Sequence, residues 1–198
     1  MMKLFVGFDL GTDSTLARKI TGFRKRFDPK FSRYAFPHMA MLAPFQSLDF
    51  QIDDIVETLR EELDSFFFGQ NETPKLGFKG LDVHQHKRKY ILHLNPLIDA
   101  NLEYCMDLVQ EVCMSNLAPN IKYKPNKKQF LPLGYFHSEQ ELELVMEQAQ
   151  MEFSEYGEIP VESISLYALK GKTWVREVRL LNFELKDSRF LHLNNHSL

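Results

Sequence analysis

The spacing of apolar residues predicts the same order of helices and strands in both halves of the sequence, and this repeated order restricts the possible folds more than any other feature. A first strand ends at Gly11, with Leu4, Val6 and Phe8 alternating with their neighbours. After it, each half of the sequence predicts a helix, a short strand, a helix and two longer strands. The first set is a helix from Asp13 to Asp28-Pro29, a strand at 38–45, a helix at 52–67, and strands near 76–83 and 89–95 that flank a turn at 84–88. The second set is a helix at 98–115, a strand at 129–136, a helix from a capping box at Ser138 to Phe153, and strands near 160–168 and 173–184 around a turn at 170–172. No residue-level repeat accompanies this order, so the duplication is inferred from the pattern alone.

The duplicated order makes the two short strands, 38–45 and 129–136, equivalent positions. In a duplicated fold, equivalent strands tend to face each other across a central cleft. The 198 residues and 17 phenylalanines supply enough apolar material for one compact domain or two small lobes that share a core. We expect the polar segment 187–198 to be a loose tail.

Charge is distributed unevenly along a chain whose net charge is only −3, which argues against a general nucleic-acid coat protein. Residues 18–34 carry seven Lys or Arg against one acid, and residues 122–128 carry four Lys and no acid. By contrast, residues 138–158 carry seven Glu and no Lys or Arg. Such runs are usually solvated faces, and a local anion-binding surface is the alternative for the two basic runs.

The two cysteines and the lack of long apolar runs bear on the compartment. Cys105 and Cys113 lie on one predicted helix, about 12 Å apart along its axis at 1.5 Å per residue. This distance exceeds the reach of a disulfide, so we expect reduced core thiols and a cytoplasmic protein. We expect no membrane span and no signal peptide.

The segment 36–45, Phe-Pro-His-Met-Ala-Met-Leu-Ala-Pro-Phe, resembles the first signature of the 2H phosphoesterases, Pro-His-x-Thr/Ser-x-x-x-Pro-Phe. Residues 23–29 look like the helix end and turn of a bacterial branch of that superfamily, the 2′-5′ RNA ligase and cyclic phosphodiesterase-like proteins. The resemblance extends from the first strand to about Phe183, mainly as the order of elements. It implies an α+β fold in which two mostly antiparallel sheets form a central cleft with helices outside. One domain of two pseudo-symmetric lobes would then occupy residues 1–186.

The chemistry that the resemblance implies depends on the period of a strand. Residues i and i+2 project from the same face, so a His-x-Thr segment presents an imidazole and a hydroxyl side by side. Two such strands surround one phosphate, where one His acts as general base and the other as general acid, while the hydroxyls hold the phosphoryl oxygens. The implied substrates are 2′,3′-cyclic phosphates or 2′-5′ linkages on RNA ends or nucleotides, with no metal and no other cofactor.

This sequence departs from the two signatures at three of the four chemical positions. His38 is present, but Ala40 occupies the position of the first hydroxyl. In the second signature, Pro-His-x-Thr-x-Gly, Gly134 fixes the alignment, Phe130 replaces the histidine and Pro132 replaces the threonine. None of the three replacements can transfer a proton or donate a side-chain hydrogen bond, so we expect catalysis to be impaired by several orders of magnitude.

The sequence therefore nominates a small set of site residues. His38 is the catalytic candidate, with a buried structural imidazole as the alternative, and His137 or His93 are possible substitutes for the lost histidine. The candidate ligand-binding residues are Ala40, Phe130, Pro132, Arg24, Arg26 and Lys127. His84 and His86 are expected in a solvated hairpin rather than in a metal site.

A competing motif lies at 8–15, Phe-Asp-Leu-Gly-Thr-Asp-Ser-Thr, which resembles the phosphate loop of the sugar-kinase, actin and chaperone ATPase superfamily. Those proteins need two large lobes and a second acidic strand motif, which this chain lacks. We expect the segment to end the first strand, with Thr12 or Asp13 capping the helix.

Three functions remain open at this point. The first is a degenerate phosphoesterase-like protein that binds RNA ends, nucleotides or another phosphorylated ligand in the cleft. The second is an active cyclic phosphodiesterase that pairs His38 with a non-standard partner such as His137. The third is a protein-interaction module whose cleft is filled by Phe130, Met39 and Met41. We expect a monomer or weak dimer without membrane association in each case.

Overall fold

The computed structural model describes residues 1–11, 14–28, 38–70, 72–86, 89–117, 123, 129–171 and 173–183. The elements within these ranges are β1 (Met2–Leu10), α1 (Thr15–Phe27), β2 (His38–Ala40), β3 (Phe45–Ser47), a 3-10 helix (Asp49–Gln51), α2 (Ile52–Phe66), β4 (Lys75–His86), β5 (Lys89–Leu97), α3 (Ala100–Ser115), β6 (Leu131–Phe136), α4 (Glu139–Phe153), β7 (Gly157–Lys170) and β8 (Thr173–Asn182). The predicted order of elements is confirmed. The predicted strand at 38–45 is two short strands, β2 and β3, and the predicted turn at 84–88 is shorter, because residues 84–86 continue β4.

The eight strands are antiparallel to their neighbours, in the order β2-β1-β7-β4-β5-β6, with β3 added to β1 and β8 added to β7. Strand β7 joins two groups of strands. Its residues 157–160 pair with β4, whereas its later residues pair with β1 and β8. We call β1, β2, β3, β8 and the later part of β7 the first sheet, and β4, β5, β6 and the start of β7 the second sheet.

The helices pack on the two sheets in a way that mixes the two halves of the sequence. Helices α1 and α4 contact each other and β6, while α2 contacts α3 and β8. Each sheet and its helices therefore contain elements from both halves of the sequence. Strands β1 and β7 pair with each other, and Leu4, Val6 and Phe8 of β1 belong to the same hydrophobic core as Ile164 and Leu166 of β7.

The helix starts follow local hydrogen bonds. Helix α1 is capped by Ser14, whose Oγ accepts from the backbone N–H of Ala17 at 3.1 Å. The predicted caps Thr12 and Asp13 lie outside the described residues. Ser138 caps α4 as predicted, accepting from the N–H of Glu141 at 3.2 Å, but the Glu141 carboxylate accepts from the N–H of His137 rather than from that of Ser138.

Cys105 and Cys113 are free thiols buried along α3. Burial raises the pKa of each thiol to about 12, so both stay protonated and act as small apolar side chains. Within the described ranges, no helix is both long enough and apolar enough to span a membrane.

Candidate functional site

The first candidate histidine lies on the face of the first sheet that is turned away from the core. Strand alternation places His38 and Ala40 together on this face, both half-buried, while Met39 between them is fully buried in the core. Met41 is also buried in the core. The two methionines therefore do not fill a cleft beside His38, which corrects that part of the interaction-module alternative.

The imidazole of His38 stacks on two aromatic rings, those of Phe5 and Tyr167. Its ring centroid lies 5.1 Å from that of Phe5 and 5.2 Å from that of Tyr167, and the rings of Phe5 and Tyr167 are parallel at 4.7 Å. Gly7 makes this arrangement possible, since a Cβ there would come within 3.1 Å of the Phe5 ring. The orientation of His38 is thus set by packing on two rings.

Asp9 is the centre of a polar network that includes Tyr167. The hydroxyls of Ser163, Ser165 and Tyr167 all donate to its carboxylate, and Arg176 Nη2 lies 3.2 Å from Asp9 Oδ2. Burial, together with the charge of Asp9, raises the pKa of Tyr167, so the phenol remains a donor. Asp9 is the acid of the phosphate-loop-like segment. Its carboxylate is bonded to four side chains of β7 and β8 rather than presented to a metal-bound phosphate.

Two residues at the start of the second signature segment, Gln129 and Phe130, line a cavity on the second sheet. Pro132 pairs with His93 of β5, and the ring of His93 stacks on Phe130 with centroids 4.7 Å apart. The ring of His84 lies 5.8 Å from the same phenyl ring. The cavity has a volume of about 470 Å³ and is lined by Asp82, Val83, His84, His93, Asn95, Pro96, Ile98, Gln129 and Phe130. This volume falls in the range of small-molecule sites, roughly 300–1,000 Å³.

A hydrogen bond joins the two signature segments. Strands β2 and β6 stand at opposite ends of the strand order, yet Gln129 Nε2 donates to the carbonyl of Met41 at 3.3 Å. Gln129 comes just before β6 and Met41 just after β2, so the two ends of the strand order approach each other here. Gln129 also lines the cavity, which places the cavity next to the β2 segment.

Arg24 is part of the protein interior rather than a ligand-binding cation. It is 2% exposed, and its Nε donates to the carbonyl of Pro132 at 2.9 Å, with Nη2 donating to the same oxygen. Burial lowers the pKa of Arg24 to about 10, against the opposing effects of Tyr135 and Asp28, so the guanidinium is still charged at neutral pH. Asp28 accepts from the N–H of Tyr135 at 2.8 Å. Helix α1 therefore satisfies backbone groups along the outer edge of β6, which no described strand covers.

The other predicted site residues lie apart from the cavity or outside the described chain. Arg26 is exposed, and its Nη2 lies 2.7 Å from both carboxylate oxygens of Glu152 on α4. His137 is exposed beyond the far end of β6, roughly 20 Å along the chain from Phe130 at about 3.3 Å per residue. Lys127 lies outside the described residues. Among the residues that are described, no group of three or more His, Cys, Asp or Glu is placed to hold a metal ion.

The two arginines of α1 predict different effects on stability. Replacing Arg24 with leucine should lower the free energy of unfolding by about 2–3 kcal/mol, because the half-buried carbonyl of Pro132 loses its charged donor. Replacing Arg26 with leucine should cost less than about 1 kcal/mol, because its ion pair with Glu152 is exposed to solvent. Urea unfolding of both variants measures the difference. Equal effects would contradict the assignment of Arg24 to the interior.

No protein-family model and no curated protein matches the sequence. The chain is similar in fold to several solved structures. E. coli LigT complexed with 3′-AMP has a TM-score of 0.46 at 15% identity, over 92% of this chain and 98% of that chain. Kluyveromyces marxianus Usb1 has a TM-score of 0.49 at 11% identity, over 88% of this chain and 96% of that chain. At these identities the similarity concerns the fold alone and assigns no chemistry to this chain.

Proposed function

We propose that this chain is a 2H phosphoesterase-like protein that binds a phosphorylated ligand of the nucleotide type between its two sheets, and that it is a poor catalyst. The observation that carries this proposal is the stack of His93 on Phe130. The imidazole of His93 on β5 lies beside Phe130, which occupies the histidine position of the second signature. The cavity around this stack supplies rings and polar groups suited to a small ligand.

Weak catalysis follows from the side chains at the signature positions. Ala40 shares the face of His38, and Phe130 and Pro132 lie beside His93. A methyl group, a phenyl ring and a pyrrolidine ring transfer no protons and donate no hydrogen bonds to a phosphoryl group. General acid–base catalysis typically contributes about 10²–10⁴-fold, which these positions cannot supply.

The positive charge for a phosphate has fewer sources than the sequence suggested. Arg24 is occupied by Pro132, and Arg26 is occupied by Glu152. The remaining basic stretch of the sequence, Lys122 to Lys128, directly precedes Gln129. We assign the phosphate-binding charge to this stretch, Lys127 included, together with His38.

A second function is favoured by the same stack. An active cyclic phosphodiesterase would need a partner for His38, and His93 lines the cavity next to the β2 segment, whereas His137 stands at the other end of β6. In that case His38 and His93 would share the acid and base roles.

Titration calorimetry with 2′,3′-cyclic AMP and 3′-AMP, alongside chromatography for turnover, tests the proposal. We expect saturable binding that weakens with added salt, and turnover near background. His93→Ala should weaken binding about tenfold, the loss of roughly one hydrogen bond from the cavity wall, and His137→Ala should leave it unchanged. Turnover that disappears in both His38→Ala and His93→Ala would instead establish the second function. Absence of binding to any nucleotide would overturn both.

A further inference from the structure

Two side chains that line the cavity on the second sheet, Asp82 and Gln129, present hydrogen-bond acceptors, and this restricts which part of a nucleotide the cavity binds. Resting on the proposed function, we propose that the cavity receives the base, and that it selects a base with an exocyclic amino group over one with a carbonyl at that position. The phosphate would then lie at the edge of the cavity, on the side of the β2 segment.

Asp82 and Gln129 set the polarity of the cavity. A carboxylate is an acceptor only, and Asp82 uses one oxygen to accept from the N–H of Val83 at 2.7 Å, so its second oxygen has an acceptor to offer a ligand. Gln129 uses one amide N–H to donate to Met41, which turns its amide nitrogen toward the β2 segment, and its amide oxygen is an acceptor for a ligand. The carboxylate oxygen of Asp82 and the amide oxygen of Gln129 therefore both favour a ligand that donates hydrogen bonds.

The remaining lining favours a flat ring over a phosphate. The rings of Phe130, His84 and His93 lie together, and Val83, Pro96 and Ile98 add apolar surface. Stacking on such rings is available to every base. Among the described residues that line the cavity there is no lysine or arginine, and the carboxylate of Asp82 would repel a phosphate. A base satisfies this lining and a phosphate does not.

Cytosine and uracil differ at the relevant position, where cytosine carries an amine and uracil a carbonyl. Carboxylates accept from the cytosine amine in nucleic-acid recognition. The carbonyl of uracil would face acceptors and leave them without a donor, so cytidine 3′-monophosphate should bind about tenfold more tightly than uridine 3′-monophosphate. Asp82→Asn should reduce this preference to about threefold or less, because the new amide can donate to the uracil carbonyl.

Titration calorimetry of the full chain and of Asp82→Asn, with these two nucleotides and ribose 5-phosphate, tests the inference. Glu162→Gln is the control, since it changes a carboxylate that does not line the cavity and should keep the preference for cytidine. Equal affinity for the two nucleotides would overturn base selection and leave the proposed function standing. Ribose 5-phosphate binding as tightly as cytidine 3′-monophosphate would also overturn it, since the base would then contribute nothing. If none of the three ligands binds, the proposed function falls and base selection falls with it.

Discussion

Replacing Asp9 with alanine should lower the free energy of unfolding by about 3 kcal/mol or more, the cost of leaving several buried hydroxyl donors without their acceptor. The side chain of Asp9 is 4% exposed, and it accepts from three hydroxyls besides its ion pair with Arg176. Its removal leaves those buried hydroxyls without their acceptor, at about 1–3 kcal/mol each. It also leaves Arg176, which is half-buried, without its carboxylate. Tyr167 also loses the anchor that holds its ring beneath His38. Urea unfolding followed by the fluorescence of Trp174 measures the change.

The chain provides a matched control for this experiment. Glu162 pairs with Arg179 at 3.2 Å, the same separation as in the Asp9–Arg176 pair, but it is more exposed. Glu162→Ala should therefore cost about 0–1 kcal/mol. Tyr167→Phe removes one donor of the Asp9 network and should cost about 1 kcal/mol. A loss in Asp9→Ala no larger than in Glu162→Ala would show that the buried network adds nothing to stability.

The sequence predicted the order and type of the elements because periodicity is a local property. It did not predict that β1 pairs with β7, or that α1 packs with α4, because such long-range pairings leave no trace in local periods. The duplicated order suggested two equivalent halves. In the structure each sheet instead contains strands of both halves.

The sequence identified Arg24 and Asp9 as notable residues, but we did not predict that their side chains are buried and bonded within the protein. Arg24 was grouped with Arg26 in one basic run, although a helix turns by about 100° per residue and places them on different faces. Arg24 falls on the apolar face with Ile20, Phe23 and Phe27, and this spacing was a signal of burial. The Asp9 network had a similar signal, since Ser163, Ser165 and Tyr167 alternate with apolar residues along a predicted strand. The stack of His93 on Phe130 had none, because it depends on the pairing of β5 with β6.

Restoring the two signatures should raise turnover of 2′,3′-cyclic nucleotides by about 10²–10⁴-fold in the triple variant Ala40→Thr, Phe130→His, Pro132→Thr. The structure supports each change. Ala40 lies half-buried on the face of His38, so a hydroxyl there stands beside the imidazole. Phe130 stacks on His93, the residue that pairs with Pro132, so new side chains at 130 and 132 share one face. The carbonyl of residue 132 remains in the Pro132→Thr change and still accepts from Arg24.

The matched control carries glutamine at position 130 with both threonines, because glutamine donates hydrogen bonds but cannot shuttle a proton at neutral pH. It should bind nucleotide like the triple variant and show no comparable gain in turnover. Adding His38→Ala to the triple variant should abolish the gain, since a histidine at 130 then has no partner. If the triple variant binds nucleotide but gains no turnover, the side chains at positions 38 and 130 do not contact the same phosphate. The two sheets would then present separate binding faces rather than one disabled catalytic site.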